Sequence, residues 1–97
     1  MIYREVQRRM TAPAIAGLPR GQQVVYRALL EKAKRQHDGA WVARYGDAQL
    51  MQRTGYRRTA IGELRRQLED AGLIVTVDGS GLTGTRYEIL EVTGVPV

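Results

Sequence analysis

The stretch from residue 57 to residue 77 constrains the fold most, because a helix passes there directly into a strand. Apolar side chains recur three, four and three positions apart at Ile61, Leu64, Leu68 and Ala71. This spacing predicts a helix over residues 57–71 with one apolar face. Gly72 ends the helix, since glycine adopts the left-handed cap conformation without a steric penalty. Residues 73–77, four of which are β-branched, then predict a strand.

The residues after this strand predict a β-hairpin. Residues 78–85 contain three glycines and are typical of a hairpin loop. Residues 86–92 alternate well enough between apolar and polar side chains to form the return strand. The last residues, 93–97, are predicted to be a frayed tail.

A shorter helix is predicted before residue 57. Asp47 is a good N-cap, because its carboxylate can accept free amide hydrogens of a first turn. It opens a helix over residues 47–53 that is predicted to bury Leu50 and Met51. Residues 54–56 then form a turn, so two helices follow each other closely along the chain.

The signals before position 44 differ in strength. Three apolar residues recur every four positions: Ile2, Val6 and Met10. They indicate a short N-terminal helix or arm, which a linker joins to the rest of the chain. A strong helical pattern begins at Pro19 and continues to about residue 36, where Asp38 and Gly39 end it. Residues 41–43 predict an extended segment too short to be more than an edge strand.

Charge and composition narrow the classes of function. Fifteen Lys and Arg against ten Asp and Glu give a formal charge of +5 and a pI near 10.1, which favours a polyanionic partner. The chain has no cysteine and one histidine, which excludes a disulfide framework, a thiolate zinc site and a multi-histidine metal cluster. His37 has no nucleophile or carboxylate spaced to form a dyad with it. We therefore expect no catalytic residue, no metal and no cofactor.

The helix pair and the hairpin resemble the winged helix-turn-helix DNA-binding domains of bacterial, plasmid and phage regulators and replication proteins. The resemblance covers roughly residues 20–90. It is carried by Leu50, Thr54, Gly55, Arg57, Arg58, Thr59, Ile61, Leu64, residues 68–74, Gly79, Gly81 and Tyr87. It implies an α+β fold with a three-helix core, a two-stranded β-hairpin wing and an N-terminal arm or short helix. The chain would divide into an arm at 1–18, the winged domain at 19–92 and a tail at 93–97.

The resemblance also implies that the helix over residues 57–71 lies in the major groove of DNA. The candidate DNA-binding residues of that helix and of the wing are Arg57, Arg58, Thr59, Gly62, Glu63, Arg65, Arg66 and Arg86. Arg58 or Arg66 can pair bidentately with guanine, and Thr59 can touch a thymine methyl group or a phosphate. Gly62 costs about 1 kcal/mol inside a helix, so a close approach to the sugar-phosphate edge would explain it. The alternative is a solvated helix face with intrahelical pairs to Glu63 and Glu69.

Two features depart from the family pattern. Arg57 stands where the family usually has a Ser or Asn cap, and it cannot accept the free amide hydrogens. Either Thr59 caps a helix that starts later, or a bound phosphate supplies the cap. The wing tip at residues 80–84 carries no basic residue, and Arg86 at the base of the wing is the group left to contact DNA. We expect a minor role for the wing.

The N-terminal segment adds three more candidate DNA-binding residues, Arg4, Arg8 and Arg9. As an arm, the segment could follow a groove of the DNA. Alternatively, its apolar stripe could pack against a second subunit, so that a homodimer forms through the N-terminal segment or the first long helix. A disordered tail is the third alternative.

The sequence therefore predicts a sequence-specific double-stranded DNA-binding protein, acting as a transcriptional regulator. One alternative is the DNA-binding domain of a mobile-element replication or mobilisation protein, for which the same residues would serve. Another is a winged-helix protein-interaction module, which the uncharged wing tip favours. No apolar run is long enough for a membrane span, so we expect a cytoplasmic, nucleoid-associated protein without a membrane partner.

Overall fold

The computed structural model describes residues 1–77 and 84–91. The predicted wing tip, apart from Gly84, and the predicted tail lie outside these residues. The elements are α1 Tyr3–Met10, α2 Pro13–Ala16, α3 Arg20–Lys32, β1 Lys34–Arg35, β2 Trp41–Tyr45, α4 Asp47–Thr54, α5 Arg58–Asp70, β3 Ile74–Val77 and β4 Thr85–Ile89. The predicted α+β class is confirmed, and the arrangement is compatible with a winged-helix-like fold.

The strands form one antiparallel sheet in the order β1-β2-β4-β3. The predicted hairpin is present as β3 and β4, but it is half of a four-stranded sheet. The strand predicted over residues 41–43 is present, but the prediction that it lies at an edge of the sheet was wrong. β2 runs to Tyr45, pairs with β4 along all five residues, and has β1 on its other side. Ala43 and Tyr45 are buried, so core packing extends the strand beyond its short apolar signal.

The helix predicted to reach residue 36 ends earlier. α3 stops at Lys32, Ala33 is extended, and β1 follows immediately. Asp38 and Gly39 belong to the turn between β1 and β2 instead of ending the helix. The Asp38 carboxylate accepts a hydrogen bond from the Ala40 amide at 3.0 Å, and Gly39 has a φ of +88°. Pairing of β1 with β2 therefore overrides the helical propensity of this polar segment.

The helix pair is close to its prediction. α4 begins at Asp47, but the N-cap position belongs to Gly46, whose amide donates to Gln49 Oε1 at 3.1 Å. The prediction that Asp47 caps this helix was therefore wrong. α5 ends as predicted, with Gly72 in the left-handed conformation and the Leu73 amide bonded to the Leu68 carbonyl at 3.1 Å.

The core lies between the helices and one face of the sheet. Its fully buried members come from α3, α4, α5 and the strands, among them Val25, Tyr26, Leu29, Leu30, Leu50, Ile61, Leu68, Ile74 and Tyr87. The predicted apolar face of α5 is correct for Ile61 and Leu68. Leu64 is half-buried, and Ala71 is exposed because the helix has passed the edge of the core there. Met51 is likewise half-buried rather than fully buried.

The N-terminal segment is helical and packs against α3. Val6 of α1 and Ile15 of α2 are completely buried, and the Met1 amino group donates to the Ala33 carbonyl. The predicted stripe was wrong at Ile2, which is 73% exposed because α1 begins one residue later. In residues 1–77 and 84–91, no helix combines the length and apolar character needed to cross a bilayer.

Candidate nucleic-acid interface

The face of α5 that points away from the core is polar and open. Its exposed side chains are those of Arg58, Thr59, Glu63 and Arg66, with Arg57 just before the helix and Gly62 half-buried among them. The helix has 13 residues and is therefore about 20 Å long. A major groove about 12 Å wide admits such a helix. Helical periodicity predicts an outer face of Arg58, Thr59, Gly62, Glu63, Arg66 and Glu69, and all of these are exposed except Gly62, which is half-buried.

The N-terminus of α5 has free backbone donors. Arg57 occupies the N-cap position with extended backbone, and within the described chain its side chain makes no capping hydrogen bond. Thr59 is the second residue of the helix, so the prediction that it caps a later start was wrong. The first amides of a helix, together with the positive end of the helix dipole, attract anions. This end of α5 can therefore receive a phosphate.

Gly62 has no packing role that the described residues reveal. A Cβ atom built on it meets no heavy atom within 4 Å. The position is helical, so glycine there costs about 1 kcal/mol relative to alanine. Packing among the described residues therefore does not explain why a glycine stands at this position.

Asp47 lies against α5 and faces two of its arginines. One carboxylate oxygen is 3.8 Å from Arg58 Nε, and the other is 3.9 Å from Arg65 Nη1. Both distances exceed those of a hydrogen bond, so the ion pairs are loose. Sequence reasoning assigned Asp47 to a cap and missed this contact, which depends on how α4 packs against α5.

Arg65 points toward the sheet rather than outward. Its Nη1 donates to the Tyr87 hydroxyl at 3.0 Å, and its side chain is 28% exposed. Partial burial alone would lower the pKa of Arg65, but the hydrogen bond to Tyr87 and the charges of Tyr87, Asp47 and Glu69 raise it above its ordinary value. Arg65 therefore ties α5 to α4 and β4.

A polar cleft of about 410 Å³ opens between α5 and the hairpin. Its lining includes Asp47, Gly62, Arg65, Arg66, Glu69, Thr76 and Thr85. The Thr76 hydroxyl donates to the Glu69 carboxylate, which joins β3 to α5. Among the described residues, the arginines of α5 form their ion pairs with Asp47. The intrahelical pairs with Glu63 and Glu69, which the alternative of a solvated helix face requires, are not observed there.

The three N-terminal arginines differ in their surroundings. Arg9 is only 7% exposed, and it pairs with Glu5 at 3.1 Å and with Glu91 at 3.5 Å. Arg8 is half-exposed and pairs with Glu5 at 2.6 Å, whereas Arg4 is exposed. The hydrogen bond from Arg8, reinforced by Arg9, lowers the pKa of Glu5 to about 2 in spite of some desolvation. These arginines belong to a packed helix and do not form an extended arm.

Arg86 lies on β4 and faces away from the helices, opposite Arg44 of β2. No sequence pattern singles out Arg44, because its position beside Arg86 depends on strand register. Elsewhere, the described residues bring together no group of three His, Asp or Glu side chains that could hold a metal ion.

No family model matches the chain, and no curated protein sequence matches it. Two solved structures share its fold. One is titled "N-Terminal domain of DNA binding protein"; it has a TM-score of 0.65 and 15% identity, over 92% of this chain and 75% of that chain. The other is titled "Structure of Rep-DNA complex"; it has a TM-score of 0.65 and 14% identity, over 88% of this chain and 71% of that chain. At such identities the likeness shows the fold alone.

Proposed function

We propose that this chain is a winged helix-turn-helix domain that binds double-stranded DNA by placing α5 in the major groove. The observation that carries the proposal is the outer face of α5, where exposed arginines surround a glycine with open space beside it. The formal charge of +5 supports a polyanionic partner. The titles of the two structures with this fold, a DNA-binding protein and a Rep-DNA complex, support the same class of partner.

Each part of the α5 face has a role in this proposal. Arg66 and Arg58 reach guanine edges, and Thr59 reaches a thymine methyl group or a phosphate. The free amides behind Arg57 receive a phosphate, which replaces the missing cap. Gly62 allows the sugar-phosphate edge to approach closely. Arg58 exchanges its loose contact with Asp47 for a shorter one with DNA.

The biological role of the domain is sequence-specific transcriptional regulation, with two copies on a palindromic site. An N-terminal surface supports pairing of copies, because Ile2 and Tyr3 are 73% and 69% exposed. They lie beside a groove between α1 and α3 that Tyr3, Val24 and Arg27 help to line. The role is one of binding, without a catalytic step.

A second candidate is the DNA-binding domain of a mobile-element replication protein. The observation that favours it is the likeness to the Rep-DNA complex. The same α5 face serves both roles, so the position of the bound site discriminates them. Sites within a replication origin support the replication protein, and sites that overlap promoters support the regulator.

Fluorescence anisotropy with labelled duplex DNA at several salt concentrations tests the proposal. Affinity should fall steeply with salt, because bound arginines release counterions from the duplex. Arg66→Ala should weaken binding to a selected site by about 5-fold to 150-fold, the value of one bidentate base contact. Arg35→Ala is the matched control, since Arg35 lies on β1, away from α5, with its guanidinium near the ring of Trp41 on β2. Absence of binding to any duplex at low salt would overturn the proposal and favour a protein-interaction module.

A further inference from the structure

Two arginines lie side by side on the sheet face that points away from the helices. Arg44 of β2 and Arg86 of β4 are direct cross-strand partners. Their strand neighbours Ala43 and Tyr87 are buried in the core, and successive residues of a strand point to opposite faces. Both arginines therefore point outward. Residues paired in this way have Cβ atoms about 4.5–5.5 Å apart, so the two positive groups share one place on the surface.

The described residues do not neutralise this pair. Like charges directly opposite each other destabilise a sheet. Neither guanidinium has a carboxylate within ion-pair distance among the described ion pairs. Arg86 Nε is buried and has no hydrogen-bond partner there. Among the described residues, two adjacent cations and an unused donor therefore remain, which is unfavourable unless an anion binds.

The charge of the surrounding sheet face also favours an anion. Lys34 of β1 faces the same way as Arg44, since it is opposite Val42, which is two residues before Arg44. Glu88 is the acidic residue of this face in the described part of the sheet; it lies opposite Val42 and two residues from Arg86 along β4. Three basic side chains therefore outnumber one carboxylate.

The pair lies at the end of the sheet nearest to α5. Arg44 is three residues before Asp47, whose carboxylate contacts Arg65 of α5. Arg86 follows Thr85, which lines the polar cleft beside α5 together with Arg66. The strand arginines therefore lie at the end of the sheet that borders this cleft, on the opposite face of the sheet from the cleft itself.

We propose that Arg44 and Arg86 bind the phosphate backbone of the same duplex whose major groove receives α5. The inference rests on the proposed function, because it requires that α5 contacts a duplex. A phosphodiester neutralises the pair, and planar guanidinium groups match its oxygens bidentately. A sheet face is too broad to enter a groove, so these contacts position the protein and do not read bases. The DNA surface then extends from α5 around the end of the sheet.

The test measures anisotropy of a random-sequence duplex over a salt series with Arg44→Gln, Arg86→Gln and Arg35→Gln. Each of the first two should reduce the slope of log K against log salt by about 0.9, the value for one phosphate contact. Arg35→Gln removes the same charge at a position paired with Trp41, which is three residues or about 10 Å along β2 from Arg44, and should keep the wild-type slope. Arg44→Lys should restore most of the slope that Arg44→Gln loses.

Thermal unfolding separates these effects from misfolding. Arg44→Gln removes a like-charge contact, so its melting temperature should equal or exceed that of the wild type. If the wild type binds the duplex and all three glutamine variants have the same slope, the proposed phosphate contact is wrong. That result would favour an acidic protein as the partner of the arginine pair. If the wild type binds no duplex at all, the proposed function itself fails.

Discussion

Replacement of Gly84 by alanine tests whether the hairpin packs against the start of the helix pair. Gly84 precedes β4 and has a φ of +76°. A Cβ atom on it would lie 2.7 Å from the Gly46 amide nitrogen, 2.7 Å from the Tyr45 carbonyl carbon and 2.8 Å from the Tyr45 carbonyl oxygen. All three are backbone atoms in the segment that connects β2 to α4. They cannot turn away as a flexible side chain can.

The expected loss of stability has two parts. A left-handed conformation costs a residue with a Cβ about 1–2 kcal/mol. Forcing one extra carbon into a packed contact costs about 1–3 kcal/mol more. Gly84→Ala should therefore lower the free energy of unfolding by about 2–5 kcal/mol, out of about 5–15 kcal/mol for a typical domain. For a domain of this size, that is a fall of at least about 8 °C in melting temperature.

Gly39→Ala is the matched control for this measurement. Gly39 has a similar φ of +88°, but a Cβ atom on it meets nothing within 4 Å of the described residues. It should therefore lose about 1–2 kcal/mol, the conformational part alone. Urea and thermal unfolding of both variants give the difference. Equal losses in the two variants would refute the close contact between Gly84 and the segment from Tyr45 to Gly46.

Three further predictions follow from individual contacts. Gly62→Ala should raise the free energy of unfolding by about 0.5–1 kcal/mol in thermal unfolding, since the added Cβ meets open space. The same variant should weaken duplex binding in anisotropy. A less stable variant would contradict the open environment. Asp47→Asn should tighten binding to random duplex DNA at low salt, because Arg58 loses its carboxylate partner. Its free energy of unfolding should change by less than about 1 kcal/mol. Unchanged affinity would place Arg58 away from DNA. The pKa of Glu5 is about 2, so its contribution to folding stability is present above pH 4.5 and is lost as the pH falls through 2. Glu5→Gln should lower the free energy of unfolding by about 1 kcal/mol at pH 7 and match the wild type in urea unfolding near pH 2. The same difference in stability at both pH values would contradict the lowered pKa.

Helical periodicity predicted the fold best. The spacing of Ile61 and Leu68, followed by Gly72, predicted α5 and its end because both depend on local geometry. Lys34 and Arg35 gave no such signal, since two charged residues become a strand only when β2 lies beside them. The sheet was therefore predicted with three strands, including the short segment 41–43, when the described residues form four.

The candidate site was predictable where it depends on one helix. Helical periodicity alone places Arg58 and Arg66 on the outer face of α5. The burial of Arg9 needed Glu91, which is far away in sequence, and the Asp47 contacts needed the packing of α4 on α5. Arg44 was missed for the same reason, because its pairing with Arg86 depends on strand register.

The proposed function requires that the outer face of α5 reads a DNA duplex. Selection of bound sites from random duplex DNA, with the wild type and with Arg66→Ala in parallel, tests it most directly. The wild type should enrich a defined sequence, and Arg66→Ala should still bind but lose the preference at one base pair, at a cost of about 1–3 kcal/mol. Enrichment of no sequence by the wild type, or the same full preference in the variant, would contradict the account.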